Sequence, residues 1–594
     1  MALQSFLSIL ATLWLAIVYT GSGAYVLRIF KLDDRWNLVT KILVCFAVGF
    51  GICGNIIMVM GFTGHLSSFS ITTVLCILSI PAFYILYVAG LKKQAMRMHS
   101  FLLTYWRISP VLSGLVLLMI TGYWARSILP PTGFDGLMYH LSTVKLYLRE
   151  GGFWDIFFNP QSDFPMFTQM HYMIGLALGN DIIAKGISFI ILIAAAALVF
   201  ELTRILMENK KGHLFSVIIF LTLPVIIANG ANCDVDISQA VWTVLAVRLL
   251  YDYIRQGGIK HLFLISFIAG LSLQTKIFGV FTIPILVCLT LAYHRKEMFS
   301  IRILAQIGLI TIIPSLMGGP WYLKSLAYND TIFLTANLSL GDTAGDGFAF
   351  FGFLADLLRA IVTAPWDYSL FPSHHRGNTF GPIFLMVLPF LFLLKQKPPY
   401  ITYLLSAGGL YLLQIILMDS LHAGSSIRYT ISTQLLLVPP AVWSLVHVQK
   451  NFRAVSGTVV SLVLVIVIMH ALVFVKRYNR EWIAILTLKT RDAYLSSVLP
   501  EYSVIRTINA LPDSSVIMPV YNFSEYLIEK KFITAYKRYE SQEQMMKDLE
   551  TLGINYIFGN NKLDIEENAN PFPEIRNKKL VRAANGFSLF EIQW

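Results

Sequence analysis

Charge is scarce in this sequence. Asp, Glu, Lys and Arg make up 13% of its 594 residues, against about 25% in soluble domains, which excludes an ordinary water-soluble globular chain. Cysteine is scarce too. The five present, Cys45, Cys53, Cys76, Cys233 and Cys288, are scattered through apolar runs or along their edges. None has metal-ligand spacing and none follows residue 476, so neither a disulfide framework nor a cysteine-based metal centre is supported. Internal repeats and low-complexity tracts are lacking. No basic stretch or cleavage motif accompanies the first apolar run, which therefore reads as a retained helix rather than a cleaved signal.

Apolar residues fill the space that charge leaves. The chain is 56% hydrophobic with a mean hydropathy of +0.65. Apolar runs fall near 4–26, 40–62, 71–91, 108–128, 182–206, 214–229, 237–254, 261–275, 277–293, 301–318, 379–394, 399–418, 429–447 and 455–475. That is about fourteen membrane-spanning helices by the hydropathy criterion. The expected class is a polytopic α-helical membrane protein. Its net charge of +12 does not point to nucleic acid, because the basic residues sort onto every second loop. They are Arg28 with Lys31, Arg35 and Lys41, then Lys92 with Lys93 and Arg97, Lys210 with Lys211, Arg255 with Lys260, Arg295 with Lys296, Lys395 with Lys397, and Lys450 with Arg453. The positive-inside rule makes these loops cytoplasmic and puts both termini on the extracytoplasmic side.

Beyond residue 475 the charge density rises and the periodicity changes. SVIMPVYNF, INYIFGN and GFSLFEIQW read as strands. Ser503 to Leu511 reads as a helix ended by Pro512, and Ser541 to Gln544 as a capping box opening another helix, which stops at Gly553. Three regions are expected: N-terminal transmembrane helices over 1–128, a catalytic transmembrane region with outer loops over 129–475, and a small extracytoplasmic α/β domain over 476–594.

The outward loops hold the residues with chemistry. Asp135 lies in TGFDGLMYHLSTVKLYLRE near Tyr139, His140 and Lys145, and Asp234 and Asp236 lie in NGANCDVDIS. Asp155 and Asp163 share this side, as do Lys276, the long stretch 319–378, and Asp419 to Arg428. An enzyme outside the cytoplasm lacks a nucleotide supply, so a group transfer there draws on a lipid-linked donor. Glycosyl transfer from a lipid phosphate needs a carboxylate to take the acceptor proton and cations to hold the departing phosphate. Asp135 suits the first role, and Lys276 and Arg428 the second. Structural roles compete with each: Asp135 as a cap on the helix that follows, Asp234 and Asp236 as caps near Ile237, Lys276 as a snorkelling side chain, Arg428 as the partner of Asp419 or of headgroups. His374 and His375 are adjacent and lack a third ligand nearby, so a metal site is not expected there.

Several stretches together resemble the GT-C superfamily of polyprenyl-phosphate-sugar-dependent glycosyltransferases, in particular the group of protein O-mannosyltransferases and the lipid A aminoarabinose transferase. They are GFDGLMYHLSTVKLYLREGGFWD, DFPMFTQMHYMIGLALGNDIIAKGIS, LTLPVIIANGANCDVDISQAVW, AGLSLQTKIFGVFTIPI with GGPWYLKSLAYND, and SIRYTISTQLLLVPP, spread over roughly 125–450. The resemblance implies a GT-C-like membrane fold with Asp135 catalytic. Tyr139, His140, Asp234 and Asp236 would form the acceptor or sugar site, and Lys276, Arg428 and Tyr429 the donor phosphate site. Two features depart from the group: the first acidic loop follows the fourth apolar run rather than the first, and Asp135 is flanked by Phe134 and Gly136 instead of a second acid.

The expected activity is transfer of a hexosyl or pentosyl group from a polyprenyl-phosphate donor to a glycan, lipid or protein acceptor. It would take place on the outer face of a membrane, read as the bacterial inner membrane. No metal is required if the two cations hold the phosphate, no other cofactor is implied, and no nucleic-acid partner is expected. The alternatives are a transporter or flippase, which would carry ionisable groups mid-helix along a pathway, and a polymerase or ligase of lipid-linked glycans.

Overall fold

The computed structural model describes all residues except 33–35, 330–346, 372–378, 421–425, 521–523, 535–546, 548, 561–577 and 593–594. His374, His375 and the capping box at Ser541 lie outside the described residues.

Every one of the expected apolar runs folds as helix, but not all as a single span. Eight helices among the described residues are long and apolar enough to cross a membrane. They include α1 (Ala2–Ile29), α2 (Leu38–Phe62) and α3 (Ser68–Ala89). Three more apolar helices are shorter, at 259–275, 277–293 and 383–393. The run expected at 108–128 divides from a basic amphipathic helix before it. Ser109 ends α4 (Leu91–Ile108) and caps α5 (Pro110–Ser127), whose first residue is a proline, a position that needs no backbone donor. The run at 214–229 breaks between α9 (Lys210–Thr222) and α10 (Pro224–Asn229), because Pro224 cannot extend the preceding helix and Leu223 before it takes an extended conformation.

Close helix contact in the N-terminal bundle depends on two glycines. A Cβ on Gly23 would lie 1.9 Å from the Cys45 carbonyl oxygen, and one on Gly49 would lie 1.8 Å from the Tyr19 carbonyl oxygen. The two backbones of α1 and α2 therefore touch, as small residues allow in membranes.

The loops that hold the candidate residues carry helices of their own. After α5 comes a π-helical turn, Gly136–His140, that runs straight into α6 (Leu141–Glu150), which Gly151 ends in a left-handed conformation. Then follow α7 (Phe167–Ala177) and the long α8 (Ile182–Leu206). Next are α11 (Asp236–Gln256), α12 (Ile259–Thr275), α13 (Thr282–Tyr293) and α14 (Ile301–Asn329). α8 and α11 pack together and against the later helix Ile431–Asn451, so that segments far apart in sequence share one core. A buried hydroxyl and amide network ties this core: Gln239 donates to Thr243 Oγ1 at 2.8 Å, Thr243 and Thr282 hydroxyls meet at 2.8 Å, and Tyr411 donates to Gln239 Oε1 at 3.1 Å.

The last region forms a five-stranded sheet in the order β2-β1-β3-β5-β4. The strands are β1 (Val516–Val520), β2 (Lys531–Phe532), β3 (Tyr556–Asn560), β4 (Lys578–Ala584) and β5 (Phe587–Ile592). β1 is parallel to both β2 and β3, while β5 is antiparallel to β3 and β4. Of these, β1, β3 and β5 were expected from sequence; β2 and β4 were not. Asn585 and Gly586 both have positive φ and close the β4–β5 hairpin, the residue pair such a two-residue turn favours. The helix expected from Ser503 spans Tyr502–Asn509.

Candidate functional site

The polar ends of five segments meet at one end of the bundle. The loop before the π-turn brings Asp135, the loop between α10 and α11 brings Asp234, and the first turn of α11 brings Asp236. The end of α12 brings Lys276, and the 3-10 turn Ile427–Thr430 brings Arg428 and Tyr429. Lys276 follows α12 with extended backbone, so its side chain turns off the helix axis into the site.

The carboxylates weighed as helix caps do not cap through their side chains. Asp135 has helical dihedrals and makes no cap to the turn that follows. Its carboxylate accepts instead from Arg428 Nη1 and, at 3.1 Å, from the Tyr139 hydroxyl. Asp236 does not cap α11 through its side chain. It accepts from Lys276 Nζ at 2.5 Å, and its other oxygen lies 3.7 Å from Arg428 Nε. Lys276 thus pairs with a carboxylate, and its ammonium also sits 4.1 Å from the centre of the Tyr429 ring. Phe278 stacks on that ring at 4.3 Å. Arg428 pairs with the two site carboxylates rather than with Asp419. Its Nε is buried with no hydrogen-bond acceptor.

The Asp234 carboxylate accepts from Asn232 Nδ2 at 3.1 Å, and its backbone carbonyl accepts from the Tyr172 hydroxyl at 2.6 Å. Burial and then the Asp135 charge raise its carboxyl above the usual carboxylate range. His140 is buried and its Nδ1 lies 2.8 Å from Gln169 Nε2. Burial lowers its imidazole to about 3, so it is neutral at physiological pH. Ligand atoms of Asp135, His140 and Asp234 all lie within 4.8 Å of one another. The second acid lacking beside Asp135 in sequence is therefore supplied by Asp234 from the next loop. Two carboxylates and a neutral imidazole are donors that suit a divalent cation, although Arg428 already holds Asp135. The two loops approach through Gly133: a Cβ there would fall 2.0 Å from Asn232 Nδ2.

One residue named with this group lies elsewhere. Lys145 does not reach Asp135; its ammonium donates to the Tyr526 and Ile528 carbonyls, both at 2.9 Å. Sequence reasoning did not single out Gln169, Tyr172 and Asn232, which hydrogen-bond to His140 and Asp234 and lie within the stretches that carry the resemblance. It left Asp163 without a partner. In the structure Asp163 pairs with Lys324 of α14 in a buried bridge beside Tyr147. The Pro-Trp-Tyr segment GGPWYLKSLAYND pointed to α14, and its lysine was the available signal.

A cavity of about 60 Å³ opens beside these groups, walled by Tyr139, His140, Gln169, Lys276, Phe278 and Tyr429. The adjoining group holds three carboxylates, Asp135, Asp234 and Asp236, and two cations, Lys276 and Arg428.

Residues 169–317 match the family model described as dolichyl-phosphate-mannose-protein mannosyltransferase. No curated protein matches the chain. Among solved structures, the chain is similar to ArnT from Cupriavidus metallidurans bound to undecaprenyl phosphate, at 11% identity and a TM-score of 0.50, over 82% of this chain and 98% of that one. It is also similar to the oligosaccharyltransferase of Archaeoglobus fulgidus in complex with Zn and sulfate, at 13% identity and a TM-score of 0.46, over 78% and 71% of the two chains. The chain is an integral membrane protein with the GT-C fold, similar to the polyprenyl-phosphate-dependent glycosyltransferases that share it.

Proposed function

We propose that the protein transfers a single sugar from a polyprenyl phosphate to an acceptor on the extracytoplasmic face of the membrane. The observation that carries this reading is the convergence of Asp135, Asp234 and Asp236 with Lys276 and Arg428 at the ends of helices that are distant in sequence. The acceptor hydroxyl attacks C1 of the sugar. The bond from C1 to the phosphate oxygen breaks, and its electron pair leaves with the polyprenyl phosphate. The acceptor proton goes to the Asp135–Asp234 pair. Asp135 is fixed by Arg428 and Tyr139, and the raised Asp234 carboxyl is the better base near neutral pH. Lys276 and the spare Nε of Arg428 stabilise the charge that builds on the leaving phosphate, and Tyr429 orients Lys276. Tyr139, His140 and Asp236 shape the sugar and acceptor side. A divalent cation on Asp135, His140 and Asp234, if bound, would add further charge at the same place.

The likeness to ArnT bound to undecaprenyl phosphate and the match to a dolichyl-phosphate-mannose family both support a lipid-linked donor. The gathering of charge at helix ends favours an enzyme over a transporter. A bacterial inner membrane, with both termini outside the cytoplasm, fits the alternation of basic loops. The test is transfer by the purified chain in lipid nanodiscs, supplied with polyprenyl-phosphate sugars of different identity. Radiolabel should leave the polyprenyl phosphate for at least one of them. Retention of every donor intact, with the fold verified, overturns the reading.

A further inference from the structure

Between the sheet region and the membrane helices lies an open cleft of about 430 Å³, walled by Lys145, Arg149, Asn180, Asp181, Arg491 and Tyr526. Three of these are cations. Arg491 is already spent: its guanidinium forks onto Asp181 at 2.8 and 2.5 Å. Lys145 and Arg149 are one helical turn apart on α6 and face the same way. Among the described residues neither has a carboxylate within ion-pair distance. Lys145 binds two backbone carbonyls, and Arg149 reaches only the Glu529 carbonyl at 3.3 Å. Burial, and next the charge of Arg149, lower the Lys145 ammonium to about 8, with Glu529 and Asp181 acting the other way. Two like charges thus share the cleft, and among the described residues neither is in ion-pair contact with the nearby Asp181 or Glu529.

The cleft is coupled to the site. α6 continues from the π-turn that carries Tyr139 and His140, and the Glu525–Leu527 turn packs on both. Lys145 lies five residues beyond His140, ~7 Å along the helix axis. Gln4, in the first turn of α1, also lines the cleft, which places it where a membrane-borne molecule would pass.

We infer that this cleft binds an anionic group, a phosphate or a carboxylate, carried by the membrane-borne acceptor, so that the acceptor of this enzyme is acidic. The inference rests on the proposed transfer reaction for the word acceptor, but not for the anion site. Arg149 supplies a forked contact and Lys145 a point charge, and the anion holds the acceptor with its hydroxyl toward Asp135 and Asp234.

The test uses the full-length chain in zwitterionic nanodiscs titrated with inorganic pyrophosphate, followed by ³¹P NMR. The parent should show two binding events, one in the cleft and one at Lys276 and Arg428. Arg149→Gln, at an exposed position, should weaken the first by about tenfold and leave the second; Arg149→Lys should restore part of it. Arg428→Ala should do the reverse. If Arg149→Gln and Lys145→Gln both leave two events intact, the cleft proposal fails while the donor site stands. If Arg428→Ala leaves two events intact, the donor reading fails instead. Repeating the titration with phosphatidylglycerol in the nanodisc separates the sources: loss of the cleft event there means that a bilayer headgroup fills it, and overturns the acceptor assignment.

Discussion

Arg428 donates to the carboxylate of Asp135 across 293 positions of chain, and its remaining Nε points at Asp236. One guanidinium therefore faces carboxylates from two different segments, while its buried Nε, in ion-pair range of Asp236, makes no hydrogen bond. In a site from which a lipid phosphate departs, this arrangement holds the cation still until a charged oxygen arrives.

Arg428→Lys is expected to keep one charge and lose the fork. Lys cannot copy the planar geometry, and the lost charge-assisted contact is worth about 1.5–3 kcal/mol, or roughly 10- to 150-fold in kcat/KM for donor. Lys276→Ala should act in the same direction through the phosphate and also free Asp236. The measurement is transfer rate against donor concentration; wild-type efficiency at limiting donor for both variants would remove the cations from the donor site.

Proton transfer gives a pH dependence with a definite sign. The Asp234 carboxyl is held above the usual carboxylate range by burial and then by the Asp135 charge, so it stays protonated, and unable to accept, to a higher pH than an ordinary carboxyl. Activity should rise with pH above the usual carboxylate range and then level off. Asp234→Asn should remove that rise and lower the rate by about 10²–10⁴. Asp135→Asn removes the charge that raises Asp234 and breaks the pair with Arg428. A similar loss of rate is expected, with the remaining inflection moved to lower pH. Unchanged profiles in both variants would take these carboxylates out of the chemistry.

Much of this site was legible because membrane chemistry separates its parts. Once helices are counted, Asp135, Asp234, Asp236, Lys276 and Arg428 fall at one end of the bundle by arithmetic alone. The pairing among them was not legible. Which cation takes which acid depends on how α8, α11 and the helix Ile431–Asn451 pack, and nothing local in the sequence encodes that. The same holds for Lys324 with Asp163, and for Lys145, which sits in the right loop yet turns toward the Tyr526 and Ile528 carbonyls. The π-turn that lets Tyr139 reach back to Asp135 leaves no signature in GFDGLMYH. By contrast, Asn585-Gly586 between two apolar stretches is a local hairpin signal, and it marks β4 as well as the expected β5.

The sheet region is pinned to the membrane helices by Arg491 on Asp181, with Tyr526 also reaching that carboxylate at 3.3 Å. Arg491→Ala leaves Asp181 largely buried and without its guanidinium, at a cost of about 3–5 kcal/mol if the pair behaves as a buried one. Faster hydrogen exchange in β1 and β3 with unchanged exchange in α8 is the expected outcome. Uniform protection equal to the parent would mean that the pair contributes no docking.

Gly49→Ala tests the contact between the first two helices. Its Cβ would fall 1.8 Å from the Tyr19 carbonyl oxygen, a backbone atom that cannot swing aside, so α1 and α2 must separate. Overpacking of this kind costs about 1–3 kcal/mol or more. It should appear as a lower unfolding midpoint in detergent, while Gly457→Ala, inside a helix and with nothing within 4 Å of the added carbon, should leave the midpoint equal or slightly higher. Equal midpoints for both would show that the helices yield without cost.

The sidedness of the whole arrangement rests on the alternation of basic loops. Arg582 is exposed on β4 in a region without native cysteine. The exposed native thiols, Cys76 and Cys288, lie within α3 and α13 and can be replaced by serine. Arg582→Cys in that background should react with a membrane-impermeant maleimide on intact spheroplasts, and a cysteine at exposed Lys211, at the start of α9 on the opposite side, should react only after lysis. The two positions control for each other: leakage would label both, and a masked thiol would label neither even after lysis. Reaction at Lys211→Cys in intact cells with protection at Arg582→Cys would invert the topology. It would place Asp135, Asp234 and the two cations on the cytoplasmic face, and with them remove the reason for a lipid-linked donor.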